Sequence, residues 1–225
     1  MNKVLGIIPA RAGSKGVKYK NKRLVCGKPL IQYTIESAKK SELISDIVVS
    51  TDDNDILDLA SSLSVHIVNR KDNISNDTSA IELSIEEVLK IFTDYDTIVL
   101  LQPTSPMRDE HDIDTAIRLF DASDKTRTLT SVTKIDDCHP ARMYKNHSGV
   151  LVPLDSMNYH KRRQDLEELF IRNGCLYIFD KKNFQTNNKV ISKEILPYEM
   201  SAEKSINVDR EIDLLFLELV IQQRS

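Results

Sequence analysis

With 225 residues, 40% hydrophobic side chains and a formal net charge of −3, the chain can build one large α/β domain, spanning 1–225, and is short for two. The slight acidic excess argues against a general binder of nucleic acid or anionic membranes, so any anion site has to be local. Met1-Asn2-Lys3 leads straight into a strand-like run, and no apolar stretch approaches the roughly 20 residues of a membrane helix, which predicts a cytoplasmic protein without membrane insertion.

The first element is the apolar run Val4-Leu5-Gly6-Ile7-Ile8-Pro9-Ala10, which empties into Arg11-Ala12-Gly13-Ser14-Lys15-Gly16, followed by Lys18, Lys20 and Asn21. Pro9 and Gly13 punctuate the exit from a strand. Glycine lets the backbone approach a ligand, turn amides form an anion-binding concavity, and Arg11 and Lys15 add charge-assisted hydrogen bonds to phosphate oxygens. A solvated basic turn after a buried strand has the same composition. The spacing matches neither G-x-x-x-x-G-K-[ST] nor G-x-G-x-x-G, which disfavours a P-loop nucleotidase and a dehydrogenase.

Pro29 opens a helix with Ile31, Ile35 and Ala38 on one face, and Asp46–Thr51 is a β-branched strand. Asp52, Asp53 and Asp55 follow, before a helix marked by Ile56, Leu59, Ala60 and Leu63. Asp53 or Asn54 reads as an N-cap in preference to a metal ligand. Val65–Val68 forms a third strand that delivers Arg70. Asp77-Thr78-Ser79 precedes a helix whose core side is Ile81, Ile85, Val88, Leu89 and Phe92.

Thr97–Leu101 is continuously apolar, as a parallel strand covered on both faces should be. It ends in Gln102-Pro103-Thr104-Ser105-Pro106, a rigid loop at the carboxyl edge of the sheet, where ligands of open α/β sheets gather. Gln102, Thr104, Ser105 and Arg108 are placed there to hydrogen-bond one, although Pro-Thr-Ser-Pro also reads as an ordinary loop. A helix with Asp112, Ile113, Ala116, Ile117 and Phe120 and the strand Thr128–Thr133 come next. From Lys134 to Phe170 the pattern departs from the core, with a hairpin around Asn146-His147-Ser148-Gly149 and the cationic run His160-Lys161-Arg162-Arg163.

Asn173–Phe179 returns as a buried strand, and Ser205-Ile206-Asn207-Val208-Asp209 leads into a last helix with Ile212, Leu215, Phe216 and Leu219 at helical spacing. Asp209 there is either a helix cap or a metal ligand. Cys26, Cys138 and Cys175 form neither a C-x-x-C pattern nor a disulfide framework and read as reduced structural thiols.

Ile8 to Gly16 with Lys20-Asn21 resembles the I-P-A-R-x-G-S-K-G loop and K-N pair of the acylneuraminate cytidylyltransferase family. The resemblance recurs in order at Ser50-Thr51-Asp52, Leu101–Arg108, Arg162-Arg163-Gln164-Asp165, Asn173-Gly174 and Ser205–Asp209, covering nearly the whole chain. It implies a three-layer αβα, Rossmann-like nucleotidyltransferase fold with a mostly parallel sheet, in which 134–170 is a dimerisation excursion of a homodimer. It also implies an activity: the anomeric hydroxyl of a nine-carbon 2-keto sugar acid attacks the α-phosphorus of CTP, releasing pyrophosphate. Such a transfer needs positioning and charge neutralisation more than covalent help from protein.

By the same resemblance Ala10, Arg11, Ser14, Lys15, Lys20 and Asn21 hold the triphosphate and Arg70 meets the cytosine. Gln102, Asn173 and Tyr177 face the sugar, Arg142 and Arg163 reach across the dimer into the neighbouring subunit's sugar site, and Asp209 binds Mg²⁺. Arg11, Lys15, Lys20 and Asp209 are the catalytic set. Two departures stand out: Asn207 replaces the first aspartate of a D-x-D pair, and Ile171-Arg172-Asn173-Gly174 replaces R-P-N-G. The acid itself stays open among sialic, legionaminic and pseudaminic types. A Kdo cytidylyltransferase and a catalytically silent nucleotide-sugar binder remain alternatives.

Overall fold

Alternation within an apolar run decides which side chains leave each face of a strand. In β1, Val4–Ala10, Leu5 and Ile7 point to one side and Val4, Ile8 and Ala10 to the other, and all five are buried. The chain is described by a computed structural model over residues 3–13, 16–70, 80–135 and 138–224.

After a short hairpin, β2 (Leu24–Val25) and β3 (Lys28–Pro29), come α1 (Leu30–Lys40), β4 (Asp46–Thr51), α2 (Asn54–Ser62), β5 (His66–Asn69), α3 (Ala80–Ile91) and β6 (Thr97–Leu101). The chain continues through α4 (Glu110–Asp121), β7 (Thr128–Lys134), the hairpin β8 (Tyr144–His147) and β9 (Val150–Pro153), β10 (Phe170–Asp180), α5 (Lys181–Asn187), β11 (Ile195–Glu199) and α6 (Glu211–Arg224). The expected helix start Asp77-Thr78-Ser79 lies outside the described residues, as do residues 136 and 137 of the excursion.

Among the described residues seven strands form one sheet in the order β11-β7-β10-β6-β1-β4-β5. β1 pairs in parallel with both β4 and β6, and β10 alone runs antiparallel to its neighbours. The sheet is thus mostly parallel, as expected. α1, α2 and α4 cover one face through Ile31, Ile35, Ile56, Ala60, Ile113 and Phe120. α3 and α5 cover the other through Ile85, Val88, Leu89 and Phe184, which makes three layers. Asp53 caps α2 by accepting from Asp55 N, and Asp109 and Asp112 form a reciprocal capping box on α4.

The chain builds outward from β1 to β4 and β5, then returns to place β6 on the other side of β1. That reversal opens a crevice between the carboxyl ends of β1 and β6.

The last helix departs from its sequence pattern. Ile212, Leu215, Phe216 and Leu219 all lie outward, whereas Leu214 and Leu217 pack against Val17, Val25, Leu30, Ile206 and Val208. Apolar residues run round the whole of α6, so spacing alone does not select the buried stripe. Leu217→Ala is expected to cost about 2–5 kcal/mol in urea unfolding, as a fully buried leucine should. Leu215→Ala, at a site 57% exposed, should stay within about 0.5 kcal/mol of the parent.

Candidate active site

The end of β1 is shaped by hydrogen bonds from its neighbours. Thr51 Oγ1 donates to Ala10 O, Asn21 Nδ2 donates to Arg11 O at 3.1 Å, and Ala12 N donates to Asp52 Oδ1 at 2.6 Å. Asn21 is buried, so its amide works on the path of the loop at Arg11. Ser14 and Lys15, both expected on the triphosphate, lie outside the described residues. Asp52, to which the sequence assigned no site role, pins the loop amide and sits within electrostatic reach of Arg70. No sequence signal separated it from the capping aspartate beside it.

Arg70 follows β5 and is only 6% exposed. Its amide donates to Thr51 O at 2.8 Å and its Nε to Ser50 Oγ at 3.0 Å, while Ser50 shares a 2.9 Å contact with Ser84 of α3. Its Nη2 is buried without a protein partner among the described residues. Burial pushes the guanidinium down to about 10, Asp52 opposes that shift, and the charge of Arg11 adds to it. Arg70 is therefore still a cation at neutral pH, with one buried donor that has no partner among the described residues.

Asp209 comes into the same region from the far end of the chain. Lys20 Nζ donates to its Oδ1 at 2.9 Å and Asn207 Nδ2 to its Oδ2 at 2.5 Å. A Cβ built on Gly16 would collide with the Asp209 carbonyl, so the basic loop closes directly on this segment. Val208 N donates to Thr104 O at 2.8 Å, which ties the segment to the loop after β6. Asp209 does not cap α6: the carboxylate of Asp213 takes the amides of Asp209 and Arg210, at 3.0 and 2.8 Å. Of the two readings open for Asp209, the cap is excluded, and a 62% exposed carboxylate faces the crevice cation.

Gln102 and Tyr177 meet over Gly174. That glycine has φ +73°, and a Cβ there would lie 3.4 Å from Gln102 Oε1 and 4.0 Å from the Tyr177 hydroxyl. Burial raises the Tyr177 phenol above its ordinary range, so it stays protonated and able to donate. Ser105 and Arg108, expected to face a ligand, are buried instead, and Arg108 Nη1 donates to Cys175 O at 2.7 Å. Asn173 is also buried and bonded to Ser131, Cys175 and Ser205.

Arg163 and Arg142 do come together, lining a hollow of about 360 Å³ with Lys134, His139 and Glu167. That lining contains neither Gln102 nor Asp209. A second cavity, about 450 Å³, lies at the opposite edge of the sheet, where β7 begins and β10 ends. Two of its cations are already paired, Lys125 with Asp121 and Arg127 with Glu194. Among the described residues no cluster of three His, Cys, Asp or Glu side chains could hold a metal, and no helix is long and apolar enough to cross a membrane. Cys175 is buried, while Cys26 and Cys138 are exposed free thiols.

Fold and edge together define an open α/β protein whose switch-point crevice is lined by cations and oriented donors, as an anionic nucleotide requires. The cytidylyltransferase family profile matches residues 5–221, and the chain belongs to that family. It is 31% identical to the N-acylneuraminate cytidylyltransferase of Escherichia coli O18:K1:H7 over 99% of its own length and 52% of the relative's. The chain thus spans about half the length of that protein. A CMP-N,N'-diacetyllegionaminic acid synthase of Legionella pneumophila is 32% identical, with 98% of this chain and 97% of the relative covered. Among solved structures, a CMP:2-keto-3-deoxy-manno-octonic acid synthetase complexed with CTP shares the fold, at TM-score 0.78 and 17% identity with both chains fully covered.

Because the folded protein depresses the pKa of Arg70, its charge costs stability at every pH below about 10. Arg70→Met, similar in volume and uncharged, is expected to leave the urea midpoint unchanged or raise it. A fall of more than about 1 kcal/mol would mean that Arg70 is retained for packing and not for a ligand.

Proposed function

We propose that the protein transfers CMP from CTP to the anomeric hydroxyl of a nonulosonic acid, of N-acylneuraminate type or a legionaminate or pseudaminate relative. The observation that carries this reading is the gathering of Arg11 within electrostatic reach of Arg70 and of Lys20 with Asp209 along the carboxyl edge of the sheet, with Gln102 and Tyr177 beside Gly174. The names of the two curated relatives, both CMP-sugar-forming enzymes of this acid class, support it.

In the reaction a bond forms between the sugar's anomeric oxygen and the α-phosphorus. The bond from that phosphorus to the α,β-bridging oxygen breaks, the electron pair leaves with pyrophosphate, and the hydroxyl proton is released. Arg11, Lys15 and Lys20 neutralise the triphosphate, and Ala10, Ser14 and Asn21 complete the set that binds it. The Nη2 of Arg70, without a partner among the described residues, suits a carbonyl acceptor on the cytosine.

Asp209, an exposed carboxylate with Lys20 at one oxygen and the Asn207 amide nitrogen at the other, would hold a hard divalent ion, since Mg²⁺ needs only one or two protein oxygens beside phosphate and water. When bound, that ion supplies further neutralisation of phosphate oxygens. Lys20, paired with Asp209 in the free protein, transfers to a phosphate oxygen as the nucleotide arrives.

We read 134–170 as the dimerisation excursion of a cytoplasmic homodimer, with Arg142 and Arg163 serving the neighbouring subunit's sugar site. Exposed apolar side chains at Leu151 (62%) and Met157 (78%), with Val150, Leu154 and Tyr159, support this. Sedimentation should give a dimer, and Leu151→Glu should shift it toward monomer. A wild-type monomer at micromolar concentration contradicts the dimer.

Pyrophosphate release from CTP and Mg²⁺ should appear with at least one of a panel of sialic, legionaminic and pseudaminic acids. Nucleotide binding without turnover on every acid, or turnover with Kdo alone, overturns the reading. Lys15→Ala should lower kcat at least 100-fold, about 2.7 kcal/mol of transition-state stabilisation, with the fold intact. An unchanged rate removes the basic loop from the mechanism.

A further inference from the structure

We propose that Asn173 is a positioning residue that couples the acceptor wall to the Asp209 segment through Ser205, and that it is not itself a ligand of the sugar acid. The inference rests on the reading of the crevice given above and deepens it.

β10 loses register with β7 between Arg172 and Tyr177, and the bulge so formed carries Gly174 against Gln102 and Tyr177. Something has to hold this unpaired stretch. The amide of Asn173 does so from inside: its Oδ1 accepts from Ser131 Oγ at 2.6 Å and from Cys175 N at 3.1 Å. Cys175 N is a donor, so the atom facing it has to be the amide oxygen, and the orientation of the side chain is fixed. Two donors fill both lone pairs of that oxygen.

The amide nitrogen points the other way and donates to Ser205 Oγ at 2.9 Å, which in turn donates to Ser201 O at 2.8 Å. With three of its four hydrogen-bonding positions used and the residue only 8% exposed, Asn173 has little left to offer a ligand. Ser205 starts the segment that ends at Asp209. Ile206 and Val208 bury their side chains beside Val17 and Leu214, and Val208 N is held by Thr104 O. A displacement at Ser205 therefore reaches Asp209 through three residues, of which Ile206 and Val208 are buried and leave little freedom to absorb it. One buried amide joins the wall that takes the acid to the strand of chain that presents the carboxylate.

A sugar ligand and a coupling residue differ in what they move. The experiment compares wild type with Ser205→Ala, Ser205→Thr, Asn173→Ala and the double variant. CTP affinity is read by calorimetry with Mg²⁺ and no acid present, and KM for the acid and the Mg²⁺ concentration for half-maximal rate are read by pyrophosphate release. Ser205 is half-exposed, so its alanine variant should fold whatever becomes of Asn173→Ala.

The expected result is a loss of about three- to tenfold in CTP affinity for Ser205→Ala, the size of one hydrogen bond, together with a raised Mg²⁺ requirement. Ser205→Thr, which keeps the hydroxyl, should restore both, and the double variant should be no worse than Asn173→Ala alone. A Ser205→Ala protein with wild-type CTP affinity and Mg²⁺ requirement overturns the proposal. So does an Asn173→Ala protein that raises only the KM of the acid. If wild-type protein binds no CTP, the reading of the crevice fails first and the coupling fails with it.

Discussion

Segment 205–209 is where separate parts of the chain have to agree. Gly16 packs on the Asp209 carbonyl, Lys20 pairs with its carboxylate, Thr104 takes the Val208 amide and Asn173 takes Ser205. These contacts come from the loop after β1, the loop after β6 and the bulge of β10, the three structures that border the crevice. α6 locks the arrangement from behind by burying Leu214 and Leu217 against Val17, Val25 and Leu30. As a stability element the Lys20–Asp209 pair is minor, because an ion pair with one exposed partner contributes about 0–1 kcal/mol. Its importance is positional: it holds a cation of the loop after β1 2.9 Å from the carboxylate of the 205–209 segment.

Local charge runs against global charge. A chain of net −3 gathers Arg11, Lys20 and Arg70 at one edge and sets Asp52 and Asp209 among them. Asp52 offsets part of what burial and the charge of Arg11 do to Arg70, and it fixes the Ala12 amide. Burying Arg70 with a nitrogen that has no partner among the described residues is costly in the free protein. That cost has a rationale if the nitrogen finds its acceptor on the ligand.

Much of this was legible in the sequence, for identifiable reasons. The apolar runs of β1, β4 and β6 and the proline and aspartate signals at helix starts mark strand, turn and helix by period and cap chemistry. β11 was missed because Pro197 interrupts it, and proline fits there only because β11 is an edge strand. The antiparallel course of β10 leaves no mark on composition. Arg108, Ser105 and Asn173 sit at the edge of the sheet as their positions implied, but a bulge and a tight loop turn their side chains inward, which depends on contacts with Cys175, Ser131 and Ser205. The outward stripe of α6 and the role of Asp213 as cap, in place of Asp209, are likewise settled by packing and not by spacing.

The central claim is that the triphosphate of CTP occupies the crevice between β1 and β6 and takes Lys20 from Asp209. A crystal structure with CTP and Mg²⁺ tests it most directly. The account predicts cytosine density at the Arg70 guanidinium, phosphates at Arg11, and Lys20 moved from Asp209 onto a phosphate oxygen. Nucleotide density at the opposite edge of the sheet, near Lys189 and Lys193, with the Lys20–Asp209 pair intact, would contradict it.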